Sequence, residues 1–122
     1  MTAAPFPPAS DIVRFAVSSF DSVVRVTAVG EVDSSSAPLL RAELESALDG
    51  GPRELVVDLD GVTFLDSAGL SVLAAAHRTA ASRAVRLRVL ASGRAVIRPL
   101  QITGLWDLLG AEQVEPGTGS AA

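Results

Sequence analysis

The chain has 122 residues and a mass of 12.5 kDa, the size of one compact domain. Hydrophobic residues make up 48% and charged residues 20%, a globular composition, and 14 acidic side chains against 10 basic ones disfavour a surface for nucleic acid. With no cysteine and one histidine, thiolate chemistry is excluded and little remains for a metal site or a proton relay.

Pro5, Pro7 and Pro8 make residues 1–11 an expected flexible tail, and this stretch has neither the basic residue nor the apolar core of a secretory signal. Residues 12–114 form the expected domain, and residues 115–122, small and glycine-rich, a second flexible tail. No run approaches the roughly 18 apolar residues of a membrane span, so a cytoplasmic protein without membrane insertion is expected.

Ile12 to Val17 is an apolar strand that stops at a turn near Ser18, Ser19 and Asp21. Val24, Val26 and Ala28 then share one face of a second strand, with Arg25 and Thr27 on the other, and Gly30 is expected to break it. Ser34, Ser35, Ser36, Ala37 and Pro38 signal a helix start with a serine cap; Leu40, Leu44, Ala47 and Leu48 carry the helix to Gly50 and Gly51. Leu55 to Leu59 is a near-continuous apolar run, as in a strand covered on both faces, and Asp60-Gly61 reads as a turn.

A second helix follows Asp66 and Ser67, with Leu70, Leu73, Ala74, His77 and Ala81 as its expected apolar stripe. Val85, Leu87 and Val89 alternate with a solvated Arg86 and Arg88 in a further strand. A third helix lies between Gly93 and Gly104 and must begin at Pro99 or kink there; Trp106, Leu108 and Leu109 are placed over the sheet edge. The β-β-α-β-α-β-α order implies an α/β domain, with helices packed on a mixed sheet of four to five strands.

Enzyme signatures are missing. The chain has no lysine, hence no phosphate loop ending in one, and no strand-following G-x-G-x-x-G. Asp58, Asp60 and Asp66 lie close in sequence but lack a partner base, and His77 falls within an apolar stripe; neither group is assigned a catalytic or metal role, and no cofactor is expected. Phe64-Leu65-Asp66-Ser67-Ala68-Gly69-Leu70 carries more information. Its plain reading is a helix N-cap, with the Asp66 or Ser67 oxygen accepting a free N–H. The same position suits a phosphate, since helix N-termini favour negative charge, and a phosphate on Ser67 would add about −1.5 to −2 charges beside Asp66.

Gly30-Glu31-Val32-Asp33, the Val56-Val57-Asp58-Leu59 strand, the Phe64 to Leu70 heptapeptide and Gly104-Leu105 together resemble the STAS domains of bacterial anti-anti-sigma factors, in order and spacing, over about Ile12 to Leu109. The resemblance implies phosphorylation at Ser67 and a role for Asp33 in the kinase reaction. It implies an anti-sigma factor with ATP-dependent serine kinase activity as partner, released by phosphorylation, and a serine phosphatase that resets the switch. Two departures stand out: Ala68 replaces a frequent hydroxyl residue, and no C-terminal helix is evident after Val114.

The ends of parallel neighbouring strands emerge on one sheet edge, which places partner binding at Glu31, Asp33 and Ser34 beside Asp66, Ser67, Gly69 and Leu70. Gly69 is expected to let a partner approach closely. Other roles for such a domain are a phosphorylation-independent subunit of a signalling scaffold or lipid-transport complex, or a small nucleotide-binding module.

Overall fold

A computed structural model describes residues 12–117; the expected tail at 1–11 and residues 118–122 of the expected tail at 115–122 lie outside the described residues. Among these residues the strands are β1 (Val13–Phe20), β2 (Val23–Val32), β3 (Glu54–Leu65), β4 (Arg86–Ala91) and β5 (Glu112–Gln113). The helices are α1 (Ala37–Asp49), α2 (Ser67–Ser82), α3 (Arg94–Ile102) and α4 (Leu105–Leu109). The strands form one sheet in chain order, β1-β2-β3-β4-β5, antiparallel between β1 and β2 and parallel thereafter.

The hairpin turns later than expected. β1 continues through Ser18 and Ser19, and the turn is Asp21-Ser22, both residues at positive φ (54° and 65°), which suits the twist of a two-residue hairpin loop. Gly30 does not end β2. It sits inside the strand at φ 118°, and a Cβ there would lie 2.0 Å from the Ile12 carbonyl oxygen, so only glycine lets the chains pass. Asp60-Gly61 is likewise not a turn: β3 runs on to Leu65, with register shifts against β2 between Thr27 and Val29 and between Gly30 and Glu31. Each shift places one extra residue on β3, a bulge that keeps the pairing alive to Val32 and Leu65.

Register sets the two faces. Val24, Val26, Leu55, Val57, Leu87 and Val89 point to one side, where Leu40, Leu44 and Leu48 of α1 and Leu73, Ala76 and Ala80 of α2 complete the core. Each fully buried leucine of this set removes enough apolar surface to stabilise the fold by about 2 kcal/mol before chain entropy is counted. The buried residues of α2 are Gly69, Leu70, Val72, Leu73, Ala76 and Ala80; Leu70 and Leu73 are buried as expected, whereas Ala74 and His77 are half-buried and Ala81 is exposed.

On the reverse face Asp58 is fully buried and accepts from Arg25 at 2.8 Å and from the Asp60 amide at 2.9 Å. Arg88 is not simply solvated. Its guanidinium bonds Glu112 on β5 at 2.9 and 3.0 Å and Glu54 on β3 at 3.5 Å. These bonds push Arg88 up and hold Glu112 below the usual carboxylate range. α3 begins at Arg94, well before Pro99, which lies inside it. Leu109 covers the core as expected, whereas Leu108 is exposed. Part of the expected C-terminal tail is held: the Gly117 amide donates to Asp60 Oδ2 at 2.7 Å, and the Ser92 hydroxyl donates to Asp60 Oδ1.

Candidate partner-docking site

The last paired residues of β2 and β3 are Val32 and Leu65, and the Asp66 amide donates to the Val32 carbonyl at 3.1 Å. Asp33 and Asp66 therefore leave the sheet side by side at the carboxyl ends of two parallel strands, where α/β sheets build their sites. Each aspartate opens a helix in its own way.

At the β3–α2 corner Asp66 is the N-cap. Its backbone is extended, and Oδ1 accepts from Ala68 N at 2.9 Å and Gly69 N at 3.3 Å. The choice left open by the sequence resolves in favour of Asp66: Ser67 is the first helical residue, exposed, and its hydroxyl takes no part in the cap. Gly69 and Leu70 point inward. A Cβ on Gly69 would lie 2.4 Å from Leu65 Cδ1 and 2.8 Å from Val32 Cγ1, so the glycine serves helix-to-sheet packing. The expectation that Gly69 opens space for a partner is corrected, and buried Leu70 belongs to the core.

At the β2–α1 corner the expected serine cap is absent as well. Ser36 is the N-cap residue but its side chain makes no capping bond; fully buried, its hydroxyl accepts from Asp33 N at 2.9 Å and donates to Glu31 O at 2.8 Å. Asp33 Oδ1 accepts from Ser35 N (2.9 Å), Ser35 Oγ (2.7 Å) and Ser36 N (3.1 Å). The Ser35 hydroxyl and the Ser36 amide hold the Asp33 carboxyl below its ordinary range, so it carries full charge at neutral pH. Glu31 and Ser34 are exposed beside it. The site thus presents Glu31, Asp33, Ser34, Asp66 and Ser67 on one edge, with three carboxylates and two exposed hydroxyls, of which that of Ser67 stands at the very start of a helix.

Asp58, Asp60 and Asp66 do not converge. The first pairs with Arg25, the second holds Ser92 and Gly117, and the third caps α2. Among the described residues no cluster of metal-ligating side chains forms.

Residues 15–110 match the family described as Mlab, STAS domain. The anti-sigma-F factor antagonist RsfB of Mycobacterium tuberculosis is 32% identical over 97 residues, covering 80% of this chain and 79% of the relative. The chain belongs to the STAS-domain family of anti-sigma factor antagonists. The anti-sigma-B factor antagonist of Bacillus subtilis is 31% identical over 86 residues, 70% of this chain and 78% of its own. A crystal structure of an anti-sigma factor antagonist from Mycobacterium paratuberculosis superposes with a TM-score of 0.78 at 32% identity, over 94% of this chain and 93% of that one. These antagonists are regulators rather than enzymes. The STAS fold accounts for the strand order, and its two neighbouring strand ends bring the Glu31–Ser34 and Asp66–Ser67 segments together.

One exposed apolar neighbour of this edge was not singled out in the sequence. Phe64 stays 47% exposed two residues before Asp66, beside Arg94 and Arg98 of α3. No local signal gives this away: the register shift against β2 between Gly30 and Glu31 leaves Thr63 and Phe64 both exposed, and that shift is a long-range feature.

Proposed function

We propose that this STAS protein is a partner switch: unphosphorylated, it binds an anti-sigma factor through the Glu31–Ser34 and Asp66–Ser67 edge and so frees a sigma factor. The anti-sigma factor is itself an ATP-dependent serine kinase that phosphorylates Ser67, and a serine phosphatase reverses the modification, all in the cytoplasm. Among the described residues no helix is long and apolar enough to cross a membrane, which is compatible with that setting.

The observation that carries this reading is the division of labour at the start of α2. Asp66 satisfies the two first-turn amides, so the Ser67 hydroxyl has no structural duty and stands exposed. A phosphate there alters the surface and leaves the fold alone. It cannot be absorbed by the amides of Ala68 and Gly69, which Asp66 already occupies, and it adds charge to an edge that already holds Glu31, Asp33 and Asp66. Like-charge repulsion and the desolvation of a phosphate in a packed contact then weaken the complex.

The test is phosphorylation with the anti-sigma kinase and ATP, read by intact mass and fragment spectrometry. One phosphoryl group on Ser67 is expected, and none on Ser67→Ala. In calorimetric titration Ser67→Ala keeps its affinity and Ser67→Glu loses about 1–3 kcal/mol. Modification at Ser34 or Ser71, or equal affinity of all three proteins, would reject the reading.

A further inference from the structure

An open groove of about 470 Å³ lies between the end of β3 and α3, and its floor is apolar: Phe64, Ala95, Pro99 and Ile102. Phe64 is 47% exposed and Ile102 72%, so two large apolar side chains meet water in one place. Arg94 and Arg98 stand on the same groove, one helical turn apart on α3. Neither makes an ion pair among the described residues, whereas Arg25, Arg41, Arg53, Arg83 and Arg88 all do. Among the described residues no carboxylate lines the groove. On a chain of net charge −4 this is a basic, apolar surface that none of the described residues covers.

We propose that the groove takes an acidic amphipathic helix of the anti-sigma factor, its apolar side chains on Phe64 and Ile102 and two carboxylates on Arg94 and Arg98. The proposal rests on the partner reading above and extends the docking surface beyond the Ser67 edge. Charge selects the occupant: two guanidiniums with no partner of their own call for carboxylates, which they bind in a planar fork. Geometry selects a helix, because the two arginines are spaced as carboxylates are at positions i and i+4 of a partner helix. A second copy of this chain fits poorly, since two bodies of charge −4 repel. The groove is also continuous with the Ser67 edge, as Phe64 and Leu65 run directly into Asp66 and Ser67. The partner is thereby anchored on one patch and gated on another.

The test uses the full chain and the anti-sigma factor that binds it. Arg94→Glu/Arg98→Glu is expected to weaken binding by about 30-fold or more, and Ile102→Ser by about tenfold, with thermal unfolding unchanged because all three side chains are exposed. Arg94→Gln/Arg98→Gln should flatten the salt dependence of the affinity. Because the chain lacks cysteine, Ile102→Cys supplies a single thiol for a photocrosslinker. Its adduct should map to a helical peptide of the anti-sigma factor with Asp or Glu one turn apart beside apolar residues. Unaltered affinity of the groove variants, while Ser67→Glu still weakens binding, would overturn this proposal and spare the partner switch. A crosslink to a basic peptide or to a second copy of this chain would also overturn it. If wild-type protein forms no complex with the anti-sigma factor, both readings fall.

Discussion

Two corners of the same sheet edge use an aspartate to start a helix, and they spend their hydroxyls differently. At the β2–α1 corner Asp33 gathers the Ser35 hydroxyl and the Ser35 and Ser36 amides, while the Ser36 hydroxyl ties Asp33 N to Glu31 O. At the β3–α2 corner Asp66 takes two backbone amides and leaves the Ser67 hydroxyl alone. The first corner is a closed hydrogen-bonded knot. The second is a satisfied cap with a spare reactive group. A serine becomes a candidate switch where the backbone no longer needs it, and that condition is met at Ser67 and not at Ser36.

Gly69→Leu gives the largest expected break in this comparison. The new side chain would have to displace Leu65 and Val32 beneath the open corner, which should cost about 3 kcal/mol in denaturant unfolding, with loss of partner binding as a secondary result. A stability equal to wild type would show that the corner has slack the packing denies. Ser36→Ala comes next, at about 2 kcal/mol, because it strands the buried Asp33 amide and the Glu31 carbonyl. Asp66→Ala should cost about 1 kcal/mol through the lost cap, against less than about 0.5 kcal/mol for Ser67→Ala. If those two values exchange, Ser67 is the true cap and its hydroxyl is not spare.

The smallest effect depends on pH. The Asp33 carboxyl is held below its value of 3.8 in the unfolded chain, so its contribution is present above that value and is lost as pH falls through the lower folded value. Wild type should therefore be more stable than Asp33→Asn at pH 7, with the gap closing in acid below pH 3.8. A gap that stays constant down to pH 2.5 would mean that the charge on Asp33 contributes nothing to the knot.

Much of this was legible before any coordinates. The alternation of Val24, Val26 and Ala28 and the near-continuous apolar run Leu55–Leu59 read as a strand with one solvated face and a strand covered on both, because burial on one or two faces writes itself into periodicity. The pairing of the Asp33 and Asp66 corners followed from parallel order alone. What was lost belongs to long-range contact. Gly30 and Asp60-Gly61 carry local signals for breaking a strand, and only the approach of Ile12 and the bulged register with β2 convert them into strand interior. The inward turn of Gly69 depends on Leu65 and Val32, which no helical period reveals. β5 has two residues and is held by Arg88 through Glu112, a partner 24 positions away. Pro99 inside α3 reads as a breaker by every local rule, yet the helix starts early enough for it to be accommodated.

The sheet order has a consequence for how the protein is made. Since the strands lie side by side in the order in which they are synthesised, each one joins the exposed rim of those already formed. The β1–β2 hairpin closes with a two-residue turn, β3 and β4 are each reached through one helix, and β5 through the pair α3 and α4. No gap has to be held open for a strand still inside the ribosome, and no finished pair must separate to admit a newcomer. Growth by accretion keeps the loop to be closed at each step to about 30 residues, where the entropy of closure rises only slowly with length. The tie from Gly117 to Asp60 spans 57 positions, a fastening that reaches from beyond β5 back to β3.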